Sequence, residues 1–89
     1  MINTKITIIN KLGLHARAAA KLVSTTAQFK SQIRAGVNGR LVDAKSIMAV
    51  MMLAASKGTE LELQFDGDDE QTAHDAVVAL INNRFDEAE

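Results

Sequence analysis

An α+β open-faced sandwich, ordered βαββαβα, is the architecture that this 89-residue chain predicts. Three observations carry that reading. Strand-like alternation and helix-like spacing take turns along the chain, so strands and helices interleave. Asn38-Gly39 lies between two alternating stretches, and this pair suits a tight hairpin because both residues accept positive φ. Each alternating stretch has only one apolar face, so the sheet needs a covering layer on one side. The expected result is a four-stranded, mainly antiparallel sheet with three helices on one face.

The elements follow in order. Met1 to Ile9 alternates, with Ile2, Ile6 and Ile8 opposite Asn3, Lys5 and Thr7, as in a half-buried strand rich in β-branched residues. Asn10 to Leu14 is a loop that Gly13 can bend. A helix from Ala16 to Ala27 follows, with Ala16, Ala19, Ala20, Val23 and Ala27 spaced as its inner face. Ser31 to Val37 is the second strand, and Arg40 to Ala44 returns antiparallel to it. Ser46 caps a second helix, Ile47 to Ala55, and Gly58 serves as its stop signal. Thr59 to Phe65 sets Leu61, Leu63 and Phe65 against Glu60, Glu62 and Gln64 as the fourth strand. Asp66 to Glu70 is a turn that places acidic residues at the start of the third helix, where the dipole favours them. That helix turns Ala73, Ala76, Val77, Leu80 and Ile81 inward. Phe85 and the acidic tail are expected to fray. Residues 1–89 read as one domain without a linker.

Composition narrows the function. Hydrophobic residues make up 47% of the chain, yet it has three Phe and neither Trp nor Tyr, so platforms for stacking nucleic-acid bases are scarce. A net charge of −1 offers no general attraction to nucleic acid or an anionic membrane. There is no cysteine, hence no disulfide framework and no thiolate metal site. The longest apolar run, Ile47 to Ala55, is nine residues, too short to span a bilayer, and a secretory signal pattern is missing. A cytoplasmic protein with no membrane insertion and no nucleic-acid partner is expected. Asp66 to Glu70 lacks the ligand spacing of a calcium loop, and helix capping explains it better. His74 has no second ligand at metal spacing and reads as a solvated surface residue. Neither a metal nor a cofactor is expected.

The stretch Gly13-Leu14-His15-Ala16-Arg17 breaks a local rule. From Ala16 onward the residues are strong helix formers, so the preceding position should hold Ser, Thr, Asp or Asn as a cap. It holds His15. A helix N-terminus presents unpaired N–H groups and a partial positive charge, which together suit phosphate. An imidazole there can carry a phosphoryl group and deliver its oxygens to the amides of Ala16 and Arg17, with the Arg17 guanidinium as a further donor. Residue types alone also allow a polar loop histidine followed by one more solvated arginine.

Ser46 is first a helix cap, and a phosphate on it would sit at a helix start, adding roughly two negative charges. Ile47, Met48, Met51 and Met52 cannot all point inward from one short helix, so about half of them are expected in the core. Ile47, Met48 and Met51 are assigned outward, forming with Leu14 an apolar docking patch in which methionine adapts to several partners.

Two motifs now match a known family. Gly13-Leu14-His15-Ala16-Arg17, together with Lys45-Ser46-Ile47-Met48 continuing through Val50, Met51 and Leu53, resembles HPr, the histidine phosphocarrier of the bacterial phosphoenolpyruvate-dependent phosphotransferase system. Asn10-Lys11-Leu12-Gly13 and Phe85-Asp86-Glu87 look like its nitrogen-branch relative NPr, whereas Lys45 to Leu53 looks like HPr proteins controlled by a serine kinase. The resemblance implies a carrier that is not itself an enzyme. In it, His15 accepts a phosphoryl group on Nδ1 from phosphorylated enzyme I and passes it to an enzyme IIA-type protein, in a sugar or a nitrogen branch. It further implies that Arg17 contacts the phosphoryl group and that HPr kinase/phosphorylase modifies Ser46. A monomer is expected. The family usually has proline where this chain has Ala18, which should leave the first turn slightly less rigid. The alternative reading is a regulatory binding module that works through Ser46 phosphorylation and the Ile47–Leu53 helix, without a phosphoryl relay.

Overall fold

The computed structural model describes residues 1–88. Its strands are β1 (Ile2–Thr7), β2 (Gln32–Val37), β3 (Arg40–Asp43) and β4 (Glu60–Asp66). Its helices are α1 (Ala16–Thr26), α2 (Ile47–Met52) and α3 (Glu70–Asn82), and a 3-10 turn, Arg84–Asp86, follows. The strands lie in the order β1-β4-β2-β3, with every neighbouring pair antiparallel. Register follows from the apolar alternation: Phe65 lies opposite both Ile2 and Ile33, Leu63 opposite Ala35, and Leu61 opposite Ile6. These side chains share one face, which the helices cover with Ala18, Ala19 and Leu22 of α1, Val50 of α2, and Ala73, Val77 and Ile81 of α3. The β2–β3 hairpin turns at Asn38 and Gly39, both at positive φ as their sequence requires.

Several local expectations give way. The buried face of α1 is Ala18, Ala19, Leu22 and Thr26, whereas Ala16, Ala20 and Ala27 are exposed. Alanines are too small to orient a helix, so the large Leu22 sets the inward direction. Thr26 is buried with its hydroxyl donating to the carbonyls of Val23 and Ala44, at 3.1 and 2.9 Å. The second helix stops at Met52, because Ala54 adopts φ 52°, four residues before Gly58. So short a helix buries only Val50, and Ile47, Met48, Met51 and Met52 are all exposed, by 40 to 71%. None of the four is core.

The tail does not fray among the described residues. Phe85 is fully buried, and Lys21 Nζ donates to its carbonyl at 2.8 Å. Arg84, Phe85 and Asp86 all take left-handed φ, at 56°, 53° and 61°, a conformation that costs L-residues about 1–2 kcal/mol each. The burial of the Phe85 ring holds them there.

Asp69, at the α3 N-terminus, makes no side-chain bond to its own helix. Its carboxylate instead accepts from Lys30 N at 2.8 Å, from Ser31 N at 2.9 Å and from the Ser31 hydroxyl, pinning the α1–β2 loop. The Ser31 hydroxyl first, and then the Lys30 amide, hold the Asp69 carboxyl below the ordinary carboxylate value. His74 is half-buried rather than solvated, with its ring edge-on to Phe65 at 5.4 Å and its Nδ1 2.9 Å from Asp75.

Candidate functional site

The loop between β1 and α1 is built from backbone outward. Asn10 is fully buried, and its amide nitrogen donates to Gly13 O at 2.8 Å and to Glu87 Oε1 at 2.9 Å. Both partners are acceptors, so the amide can only face one way. Gly13 takes φ +66°, and a Cβ there would lie 2.4 Å from the Ala55 carbonyl oxygen. The position therefore excludes every other residue on two grounds. Leu14 N donates to that same carbonyl at 2.8 Å, tying the loop to the residues after α2. Leu14 itself is only 5% exposed and belongs to the core, so the expectation that it forms part of a docking surface is overturned.

His15 is the N-cap of α1, in an extended conformation, and its carbonyl accepts from Ala19 N at 2.8 Å. Its ring makes no cap bond to the helix. The first-turn amides of Ala16 and Arg17 are left for another acceptor, on residues that are themselves exposed. The ring is 24% exposed, and its Nε2 lies 2.6 Å from Glu87 Oε2, whose side chain is 13% exposed. Burial is the largest single influence on the Glu87 carboxyl and raises it. The hydrogen bonds from Asn10 and His15, with the charges of His15 and Arg17, together outweigh that and hold it below the ordinary glutamate value. Arg17, in the first turn, is exposed, and its charge bears on Glu87.

A second surface lies on α2, which packs on α1. Ser46 caps it as expected, its Oγ accepting from Ala49 N at 3.3 Å. The exposed Ile47, Met48, Met51 and Met52 follow, and Leu12, in the loop before His15, is 65% exposed. Among the described residues no cluster of His, Cys, Asp or Glu could hold a metal ion, and no helix is long and apolar enough to cross a membrane.

Residues 2–83 match the family model described as PTS HPr component phosphorylation site. The chain belongs to the HPr family. It is 60% identical over 89 residues to phosphocarrier protein HPr of Cupriavidus necator, with all of both chains covered. The crystal structure of HPr-C-His from Thermoanaerobacter tengcongensis superposes with a TM-score of 0.96 at 45% identity, again over the whole of both chains. An HPr dimer from the same organism matches with a TM-score of 0.78 at 46% identity, over 98% of this chain and all of that one. The chain is thus a phosphocarrier of the phosphotransferase system and not an enzyme.

Sequence reasoning placed His15, Ala16 and Arg17 together, and the structure puts them at one helix mouth. It missed Asn10, Phe85 and Glu87. Nothing local marks Glu87 as a neighbour of a residue 72 positions away. Phe85 did leave a signal, since it continues the four-residue spacing of Ala73, Val77 and Ile81, and a large aromatic ring on that line belongs inside.

Proposed function

We propose that His15 is the residue that carries the phosphoryl group, accepting it from phosphorylated enzyme I and passing it to an enzyme IIA-type protein of a sugar or nitrogen branch. One observation supports this above the others. The imidazole occupies the N-cap of α1 without capping it, so it stands beside first-turn amides that an anion can use. A phosphoryl group on the ring meets the N–H groups of Ala16 and Arg17 and the Arg17 guanidinium, and charge stabilisation of that kind is most of what phosphoryl transfer asks of a protein. Labelling with phosphoenolpyruvate and enzyme I tests the assignment: acid-labile phosphate supports the relay, and acid-stable phosphoserine alone would favour the regulatory module. Arg17→Lys loses the planar fork and is expected to slow transfer by about tenfold, measured as the rate of phosphate incorporation. An unchanged rate would leave Arg17 as a solvated surface residue.

The exposed Ile47, Met48 and Met51, joined by Met52, are the proposed docking surface for enzyme I and enzyme IIA-type proteins. Ser46 borders this surface, so a phosphate added there by an HPr kinase/phosphorylase-type enzyme places about two negative charges against an apolar contact. Ser46→Asp is expected to lower the rate of transfer from enzyme I several-fold while leaving the fold intact by circular dichroism. An unaltered rate counts against regulation. Action as a monomer is part of the proposal, although a related HPr forms the dimer described above. Dependence on phosphoenolpyruvate places the proposed relay in the cytoplasm.

A further inference from the structure

The contact between Glu87 and His15 lies outside the fold's apolar core, with both side chains only partly exposed. Glu87 reaches the ring with one oxygen, 2.6 Å from Nε2, and is steadied through the other by the buried amide of Asn10 at 2.9 Å. Asn10 spends both of its amide hydrogens here and on Gly13, and leaves its own Oδ1 buried with no hydrogen-bond partner among the described residues. An orphaned buried acceptor costs about 1–3 kcal/mol, so this arrangement is maintained against a penalty. The tail that delivers Glu87 is itself fixed, by the buried Phe85 ring and by the Lys21 bond to Phe85 O.

From this geometry we infer that Glu87 is a positioning residue that fixes the tautomer of His15 and pairs with the ring in its phosphorylated form. The inference rests on the reading of His15 as the phosphoryl carrier. A carboxylate can only accept, so Nε2 carries the hydrogen and the lone pair of the neutral ring is on Nδ1. Nδ1 is then the one nucleophilic nitrogen. In the acceptance step its lone pair attacks phosphorus, and the N–P bond forms as the donor's own P–N bond breaks and that electron pair returns to the donor nitrogen. The proton on Nε2 stays in place. The ring is left cationic, with phosphoryl on one nitrogen and hydrogen on the other, and it now forms an ion pair with Glu87. Onward transfer reverses the sequence: the N–P electron pair returns to Nδ1 and the neutral Nε2–H ring is restored. No external base is needed in either direction.

The charged groups about the ring are consistent with an ionised Glu87. Arg17 approaches from α1, Lys11 lines a shallow depression with Leu12, Glu87 and Ala88, and Lys57 and Arg84 line its neighbour. On the far side of the tail, Lys21 lies 3.9 Å from Asp86.

The test uses nitrogen-15-labelled whole protein and Glu87→Gln, which keeps the shape and an acceptor for Asn10 but removes the charge. In the unphosphorylated wild type the His15 Nε2–H resonance is expected to be slow in exchange, and in Glu87→Gln it is lost. After phosphorylation with phosphoramidate, the phosphorus-31 resonance of the wild type titrates about one pH unit higher than that of Glu87→Gln, the size expected for removing one adjacent opposite charge. Glu87→Asp, with the charge one methylene shorter, falls between them, which a merely structural tail residue would not produce. Equal Nε2–H persistence and equal midpoints in wild type and Glu87→Gln overturn the inference. The first readout needs no phosphoryl donor, so a chain that fails to label with enzyme I would refute the relay and still report on Glu87.

Discussion

His15→Ala incorporates no acid-labile phosphate from phosphoenolpyruvate and enzyme I, whereas the wild type labels to completion under the same conditions. The expectation is absolute because no second group can take over. The other histidine, His74, lies on α3 against Phe65 and Asp75, away from a helix mouth. The substitution should cost little stability. Alanine is a poor N-cap, but the His15 ring makes no capping bond to lose, and His15 is partly exposed. Loss of label with an unchanged unfolding midpoint therefore isolates the chemistry from the fold. Residual acid-labile label at the wild-type level would remove His15 from the mechanism.

The second substitution acts from a distance. Phe85→Ala empties a fully buried site, and such truncations cost about 3–5 kcal/mol. Native domains are stable by only about 5–15 kcal/mol, so the loss is a large share of what holds this chain folded. With a urea dependence of about 1–3 kcal/mol per molar, the midpoint should fall by about 2 M. The tail turn, whose three left-handed residues are held by that ring, then loses its anchor and Glu87 its fixed approach to His15. A midpoint within a few tenths of a molar of wild type would show that the tail contributes no such anchor.

Much of the fold was legible because alternation in β1, β2 and β4 fixes which face is buried, and Asn38-Gly39 fixes one turn. The α1 face was not, because four alanines and a valine at helical spacing say little about direction, and Leu22 outweighs them. The length of α2 was hidden by its composition. Nine apolar residues in a row look like one longer helix, and only the left-handed Ala54 shows that it ends early; Ile47, Met48 and Met51 were expected outward, and Met52 joins them. At the site, the residues adjacent in sequence could be found, since a histidine in a cap position is a local anomaly. Glu87 and Asn10 could not, because their pairing depends on where the chain's two ends meet in space. Leu14 was misassigned because an apolar residue beside a candidate site looks like a contact surface until its place in the core is seen.

The missing side chain at Gly13 has a last consequence for recognition. With only main chain between this loop and Ala55, the gap is too narrow to flex, so the imidazole and the methionine-bearing helix are clamped as parts of one rigid gauge. On the proposed reading, a protein docking on the methionines would meet the His15 ring at a set offset and need not search for it.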